Sequence, residues 1–378
     1  MAACCPRISI HEMTRERFER AFLAANKPCL LTGVTADWRA AREWVKADGG
    51  GVDVGVLKRL FGHHEVSVHD ARGTREDMTL ADYADWWLAE CGVAASREWK
   101  YLKDWHLAHL EPDYQAYHVP DCLGGDWLNE HWMASTTRSE GGDHRFVYVG
   151  PAGSCTSLHA DVLFSYSWST NVVGTKRWLL VPSEHRGLVS DASTRPLAAD
   201  LSTLRSSSGE AVVAPVEVIQ RAGELLFVPS GWYHQVENVT ECISINHNWL
   251  NAHNVSWALE RISQVLVDVQ HGLGEGEADD AELCESIVSR RCGMGVGELC
   301  DLLEGVIERR RCTPSRATNK RARNADGADR RAGCSASFEL SQAIAVLAEA
   351  VSLLETSYSE ETLSPERLAA LQRQKQLL

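Results

Sequence analysis

The sequence predicts a mainly β domain of the barrel or sandwich type, with mixed α/β elements before it and a helical region after it. Between residues 145 and 250, short apolar runs of strand length are separated by Gly, Pro and Ser, and no long helical pattern interrupts them. After residue 254, apolar residues recur at helical spacing instead. These patterns predict three regions, at residues 1–100, 101–254 and 255–378.

Composition narrows the function classes before any motif is considered. The chain has 378 residues and a formal net charge of −14, and a body this acidic repels the phosphates of nucleic acids. With 44% apolar and 24% charged residues, it has the composition of a globular protein with a sizeable core. No apolar run approaches the roughly 20 residues that a membrane-spanning helix requires. We therefore expect neither a nucleic-acid partner nor a membrane.

The cysteines and the N-terminus indicate the compartment. The 12 cysteines include no C-x-x-C pair, which excludes the treble-clef, RING and PHD types of zinc module. Residues 1–7 have neither the basic nor the apolar region of a secretory signal, so we expect free thiols in the cytoplasm. Residues 309–331 carry nine basic and two acidic side chains and predict a disordered loop. A nuclear pool, directed by Lys320–Arg323, is the alternative interpretation of that segment.

Short elements are predicted before and within the barrel. Thr14 is suited to cap a helix over 13–20, apolar runs predict strands at 29–33 and 65–70, and a helix follows at 80–88. The barrel strands are predicted at 145–149, 163–168, 177–181, 216–220, 224–228 and 242–249.

Helices are predicted after the barrel. Apolar stripes at helical spacing lie within residues 255–269, 299–307 and 340–354, and Ser364-Pro365 supplies an N-cap followed by a proline at the first helical position. Such stripes are the ordinary buried faces of packed helices, and dimerisation through them is the second interpretation.

Three residues of the barrel region form a candidate metal site. His159 and Asp161 are separated by one residue, and residues i and i+2 of a strand point to the same side, while His234 lies where a predicted strand ends in a Pro/Gly turn. Two imidazoles and one carboxylate leave three coordination positions open, as in the non-haem Fe(II) oxygenases, where a cosubstrate and O2 both bind the metal. The alternatives are two core histidines with a capping aspartate, and a structural zinc site, which requires a fourth ligand.

Polar residues near the candidate metal site predict an anionic cosubstrate. Lys176 begins an apolar strand, where its ammonium is costly unless it meets an anion such as the far carboxylate of 2-oxoglutarate. Thr156 and Tyr101 carry hydroxyls suited to the same carboxylate. Asn246 and Asn248 share one face of the last strand and are candidate partners for the keto-acid end or a metal-bound water. A surface lysine and ordinary core hydrogen bonds are the alternatives.

Several motifs in a fixed order resemble one enzyme family. They are His159-x-Asp161, Gly174-Thr-Lys-Arg-Trp, Phe227-Val-Pro-Ser-Gly-Trp-Tyr-His234 and Ser244-Ile-Asn-His-Asn-Trp-Leu-Asn. Together they are similar to those of the JmjC family of 2-oxoglutarate oxygenases. Tyr101-Leu-Lys-Asp-Trp-His-Leu extends the resemblance to the JmjC domain-containing protein 4 subfamily, over about residues 28–260.

The resemblance implies a double-stranded β-helix, a jelly-roll of the cupin type, that binds Fe(II), 2-oxoglutarate and O2. The residues that it assigns to iron are His159, Asp161 and His234. The residues that it assigns to 2-oxoglutarate are Lys176, Thr156 and Tyr101. Where related hydroxylases have an asparagine before the lysine strand, this chain has Ser169, with Asn171 two residues later, so the partner of the C1 carboxylate stays open.

The resemblance also implies a reaction. In this subfamily the substrate is the translation termination (release) factor, and the product is a lysine hydroxylated on a side-chain carbon. An N-methyl-lysine demethylase is the alternative with the same iron chemistry, although such enzymes usually carry JmjN, PHD or Tudor-like modules. A non-catalytic JmjC-type binding module is the alternative from another class, and it predicts a broken metal triad.

Overall fold

A computed structural model of the chain describes residues 5–90, 99–135, 142–189, 201, 214–274, 277–312, 328–359 and 361–378. The chain divides into two compact units, and each has a hydrophobic core. Unit 1 comprises Met1–Gly124, Asp143–Asp161 and Tyr166–Asn248. Unit 2 comprises Gly125–Gly142, Val162–Ser165 and Trp249–Leu378.

Unit 1 is built on β-strands. In the described residues they are β1 (Arg7–Ser9), β2 (Cys29–Thr32), β3 (Glu65–Asp70), β4 (Arg75–Thr79), β5 (Lys100–Trp105), β6 (Arg145–Gly150), β7 (Cys155–His159), β8 (Tyr166–Val173), β9 (Lys176–Val181), β10 (Val216–Gln220), β11 (Glu224–Val228), β12 (Tyr233–Asn238) and β13 (Cys242–Trp249).

The strands form two sheets. The larger sheet has the order β1-β2-β11-β8-β13-β6-β5-β3-β4, and the smaller sheet has the order β10-β9-β12-β7. Strands β6 to β13 contribute four members to each sheet, and the pairs β6–β13, β8–β11, β7–β12 and β9–β10 are all antiparallel. This arrangement is a jelly-roll, so the predicted double-stranded β-helix is confirmed.

The N-terminal elements extend the larger sheet of the jelly-roll. Strand β2 pairs with β11 at one end of the barrel portion, and β5 pairs with β6 at the other. The helices of this unit are α1 (Arg15–Phe18), α2 (Arg39–Glu43), α3 (Val54–Phe61), α4 (Leu80–Glu90), α5 (Leu107–Leu110) and α7 (Arg186–Val189). Thr14 caps α1 as predicted, since its hydroxyl accepts from the Arg17 N–H, and the chain continues beyond α1 in a π-helical turn, Glu19–Leu23.

Five of the six predicted barrel strands lie within one residue of their predicted bounds, whether or not both of their faces are buried. Strands β10, β11 and β13 have the predicted bounds. The predicted strand at 163–168 is wrong, because Val162–Phe164 form a 3-10 turn in which Leu163 has a φ of 58°, and β8 begins only at Tyr166. Strands β7 and β12 were missed because they are short and mostly polar in sequence.

Unit 2 is helical. Its helices are α6 (Trp127–Ala134), α8 (Val255–Gly272), α9 (Ala281–Cys292), α10 (Val296–Cys312), α11 (Ala328–Ser357) and α12 (Pro365–Leu377). The Ser364 hydroxyl accepts from the Arg367 N–H at the start of α12, as its sequence predicts. The predicted apolar stripes supply much of the core of this unit, while dimerisation stays a prediction.

The basic segment is less of a loop than predicted. Residues 309–312 end α10 and residues 328–331 begin α11, so both ends of the predicted loop are helical. The Arg310 side chain donates to Glu339 (2.6 Å) and to Glu130 (3.1 Å), and these partners explain why its charge is compatible with helix packing. Lys320–Arg323 lie outside the described residues.

One helix is apolar enough to span a membrane by length and composition, which corrects the expectation that no such run exists. It is Ala336–Ser357, within α11, and its mean hydropathy is 1.4. Ala343, Leu347, Ala350 and Leu354 of this helix are fully buried in the core of unit 2. Packing inside the unit accounts for its apolar residues.

Candidate active site

The three candidate metal donors lie together where β7 and β12 pair. His159 is the last residue of β7, and it is in register with His234, the second residue of β12. Asp161 follows after the end of β7, so the expectation that it shares a strand with His159 is wrong. The donor atoms nevertheless lie within 4.8 Å of one another, and His234 Nε2 is 4.0 Å from Asp161 Oδ2.

Backbone hydrogen bonds orient both imidazoles of the candidate metal site. The Nδ1–H of His159 donates to the Ser157 carbonyl (2.8 Å), and the Nδ1–H of His234 donates to the Trp232 carbonyl (3.1 Å). In a neutral ring this leaves the Nε2 lone pair free to coordinate. Burial, together with the neighbouring imidazole, lowers the pKa of His159 to about 4, so this ring is neutral at pH 7.

The carboxylate is also held in place. The Ser167 hydroxyl donates to Asp161 Oδ2 at 2.6 Å, which restrains the Asp161 side chain from outside the donor set. Among the described residues no fourth His, Cys, Asp or Glu joins the group. Two imidazoles that present Nε2 and one oriented carboxylate fit a divalent metal with open positions, and they do not form the closed shell of a structural zinc site.

The donors line a cavity of about 240 Å³ inside unit 1. Every residue that the sequence predicts to contact the cosubstrate also lines it, namely Tyr101, Thr156, Lys176, Asn246 and Asn248. The structure therefore brings together residues from β5, β7, β9 and β13 around one space.

Lys176 is a buried cation with neutral partners. Its side chain is only 2% exposed, and its Nζ donates to the Ser244 hydroxyl (2.7 Å) and to the Tyr101 hydroxyl (3.5 Å). No carboxylate of the described residues pairs with it, and burial lowers its pKa to about 8. An ammonium in this setting is stabilised by an anion in the cavity.

The two candidates for the C1 carboxylate differ in position. Ser169 lines the cavity, and its buried hydroxyl has no hydrogen-bond partner among the described residues. Asn171 instead donates to the Gly174 carbonyl (2.7 Å) in the turn between β8 and β9, and it does not line the cavity. Ser169 is therefore the better placed of the two.

Sequence reasoning missed several residues of the cavity wall. Those are Lys103, Asp104, Tyr148 and Ser167. Lys103 could have been predicted from the sequence, because it lies two residues after Tyr101 on the same face of β5. Asp104 could not have been predicted, because the regular alternation of side chains along a strand assigns it to the opposite face of β5.

A second cluster of possible ligands is not arranged for a metal. His63, His64 and Glu111 lie close together. The Trp105 indole N–H donates to His64 Nδ1 (3.2 Å), so the proton of this neutral ring is on Nε2, where it donates to Glu111 (3.1 Å). Both nitrogens of His64 are thus engaged, and this cluster is a hydrogen-bonded core feature.

Comparisons with known proteins agree with this geometry. Residues 15–254 match the family described as the cupin-like domain. The chain is 36% identical over 321 residues to the 2-oxoglutarate and iron-dependent oxygenase JMJD4 of Gallus gallus, which covers 80% of this chain and 74% of the relative. The human JMJD4 is 36% identical over 313 residues, or 78% of this chain and 73% of the relative.

A third relative carries a different name. The arginine-specific demethylase JMJ20 of Arabidopsis thaliana is 35% identical over 316 residues, which is 77% of this chain and 68% of the relative. The match to the domain family and the extent of these similarities show that the chain belongs to the cupin-like JmjC family of 2-oxoglutarate and iron-dependent oxygenases.

Proposed function

We propose that this chain is an Fe(II)- and 2-oxoglutarate-dependent protein hydroxylase. The observation that carries the proposal is the combination, in one cavity, of a three-donor metal site and a buried ammonium without an anionic partner. Either feature alone has an ordinary structural explanation. Together they fit a cosubstrate such as 2-oxoglutarate. One end of such a molecule chelates the metal, and the other end presents a carboxylate to the ammonium.

Each part of the site has a distinct role in this proposal. His159, Asp161 and His234 hold the metal, and Fe(II) with O2 supplies the oxidation of an unactivated C–H bond. Lys176, with the Tyr101 and Thr156 hydroxyls, binds the far carboxylate of 2-oxoglutarate. Ser169, Asn246 and Asn248 supply polar groups for its keto-acid end.

Aromatic packing and hydrogen bonds hold the tryptophan side chains of the cavity wall. The Trp168 ring stacks on the His247 imidazole with 4.1 Å between ring centroids, and the His247 ring is within 2.6 Å of the Tyr117 hydroxyl. The Trp178 indole N–H donates to Gln220 (2.8 Å), so this wall is held by a buried hydrogen bond. The burial of Lys176 strengthens the electrostatic attraction between its ammonium and a bound carboxylate.

The proposed substrate is a lysine side chain of the translation release factor. The proposal follows from the resemblance of the chain to the JmjC domain-containing protein 4 subfamily. Its acidic body, with a net charge of −14, suits a basic protein surface around the target residue. A cytoplasmic location, with a nuclear pool directed by the basic segment, accords with this substrate and remains part of the proposal.

Demethylation is the second candidate function, and one observation favours it. JMJ20, with 35% identity to this chain, is named an arginine-specific demethylase. Oxidation of an N-methyl C–H bond uses the same metal and cosubstrate as oxidation of a side-chain methylene. The two functions therefore differ only in which carbon of the substrate the cavity presents to the metal.

The products separate these candidates. The protein is incubated with Fe(II), 2-oxoglutarate and either unmodified release factor or peptides with methylated lysine or arginine, and the masses and formaldehyde are measured. Hydroxylation predicts the gain of one oxygen atom on a release-factor lysine without formaldehyde. Formaldehyde with loss of a methyl group establishes demethylation instead, and the absence of any product, equal to a His159→Ala control, indicates a binding module.

A further inference from the structure

The cavity contains a carboxylate that the metal site does not use. Among the described residues that line it, the carboxylates are Asp161, a metal donor, and Asp104. Asp104 is exposed, so it stands where the cavity opens to solvent. A charged group at this position meets a substrate as it enters.

A local distortion of β5 places Asp104 in the cavity. Strand β5 pairs with β6 through Leu102 and Val149 and again through Trp105 and Val147, so β5 has one more residue than β6 between these pairs. This is a β-bulge, and Asp104 has a φ of 55° within it, in the left-handed region that few residues other than glycine adopt. The bulge brings Asp104 to the same cavity as its neighbour Lys103, which regular alternation forbids.

The opposite strand fixes the Asp104 carboxylate. The hydroxyl of Tyr148, the β6 residue facing the bulge, donates to Asp104 Oδ1 at 2.7 Å. Burial, and next the Asp104 charge, raise the pKa of this hydroxyl well above its usual value, so it remains a donor. The structure gives the second oxygen of Asp104 no hydrogen bond among the described residues.

Neither ammonium of the cavity contacts Asp104 directly, although the Lys103 charge interacts with the Asp104 charge at longer range. Lys103 Nζ donates to the Cys155 carbonyl (3.3 Å) and lies 4.9 Å from the centre of the Tyr101 ring. Lys176 Nζ donates to Ser244 and Tyr101. Asp104 is therefore an oriented carboxylate that forms no ion pair with the described residues, so it is able to pair with a cation that enters the cavity.

We propose that Asp104 is the specificity-determining residue that binds the terminal cation, an ammonium or a guanidinium, of the substrate side chain. The inference rests on the proposed function, which it deepens by naming the substrate class. A cation held at Asp104 leaves the methylene groups of its own side chain as the C–H bonds within the cavity. A neutral side chain of the same length lacks this anchor.

The test measures binding, so that it does not depend on turnover. The full-length protein is loaded with Mn(II) and 2-oxoglutarate, and Nα-acetyl methylamides of lysine, arginine and norleucine are added separately. Paramagnetic broadening of the probes' side-chain proton signals reports binding next to the metal. We expect the lysine and arginine probes to bind at least about tenfold more tightly than the norleucine probe. Whichever of the two cationic probes binds more tightly shows whether the site prefers an ammonium or a guanidinium.

Three variants make this test specific. Asp104→Asn is expected to remove the preference for cationic probes, whereas Asp104→Glu, which keeps the charge, is expected to retain it and to exclude misfolding as the cause. Glu65→Gln, an exposed strand carboxylate outside the cavity, is the matched control and retains the preference. Equal binding of all three probes to the wild type, absence of binding by all of them, or an unchanged preference in Asp104→Asn overturns the proposal. A release factor that is not oxidised counts against the proposed function alone.

Discussion

At the scale of single residues, Lys176 shows how burial adjusts a charge for binding. Its ammonium is 2% exposed and hydrogen-bonds only to hydroxyl groups, so desolvation lowers its pKa to about 8. The ammonium is therefore still protonated at pH 7, but its pKa is only about one unit above that pH. An anion bound beside it favours the protonated ammonium, which links 2-oxoglutarate binding to the protonation of this one side chain.

This linkage predicts a pH dependence. The pKa of Lys176 is lowered, so the ammonium is present below about pH 8 and is lost as the pH rises through that value. We expect the affinity of the Mn(II)-loaded protein for 2-oxoglutarate to be nearly constant below pH 8 and to fall by up to about tenfold per pH unit above it. Calorimetric titration with 2-oxoglutarate at several pH values measures this affinity.

A Lys176→Arg variant is the control for this prediction, because a guanidinium stays charged over the same pH range. Its affinity for 2-oxoglutarate is expected to lack the decline above pH 8. An identical decline in both proteins contradicts the assignment of Lys176 to the cosubstrate.

The residues of the site that have unusual chemistry could be predicted from the sequence. Those whose position depends on an irregular backbone could not. His159, Asp161, His234 and Lys176 were identified because their side chains are unusual near apolar strands. Asp104 was not, since its place in the cavity depends on a bulge, and an extra residue in one strand is defined only by the partner strand. A pattern read along a single strand has no information about that partner.

At the scale of elements, the turn between β8 and β9 places Lys176 at the start of its strand. Gly174 in this turn has a φ of 84°, and a Cβ added to it would lie 2.0 Å from the Glu241 carbonyl oxygen. Two separate features, the left-handed backbone and the backbone contact, therefore require glycine at this position.

We predict that Gly174→Ala lowers the free energy of unfolding by about 2 kcal/mol or more, because both the dihedral strain and the clash oppose a Cβ. Urea denaturation followed by tryptophan fluorescence measures the change. Gly187→Ala in α7 is the matched control, since nothing lies within 4 Å of its Cβ position and its φ is not positive. A loss of stability that is equal in the two variants contradicts this explanation of the turn.

Whether a strand of this protein could be predicted depends on the pattern of apolar residues along it. Strand β11 has a nearly continuous apolar sequence and was found with its bounds, whereas β8, which is also buried on both faces, begins three residues later than predicted. Strands β7 and β12 carry Ser, Thr, His, Gln and Glu, and they pair with each other at the metal site. The two strands that position the candidate histidine ligands were thus missed, whereas β9 and β13, which carry Lys176, Asn246 and Asn248, were found.

At the scale of the whole molecule, the N-terminal strands belong to the barrel's larger sheet. Leu30 of β2 pairs with Leu226 of β11, and Leu102 of β5 pairs with Val149 of β6. Pairing between segments so distant in the chain leaves no local pattern, which is why the sequence predicted mixed α/β elements before the barrel but not their place in its larger sheet. Unit 2 was easier to anticipate, because the helical stripes that form its core are local signals.

The most direct test of the central claim is the incorporation of oxygen into the proposed substrate. Recombinant release factor is incubated with the protein, Fe(II), 2-oxoglutarate and isotopically labelled O2, and its peptides are then analysed by mass spectrometry. The account predicts one labelled oxygen atom on a lysine side chain, with matching succinate, and neither product with His159→Ala. Succinate and labelled oxygen that persist in His159→Ala, or a wild type that forms neither, would contradict it.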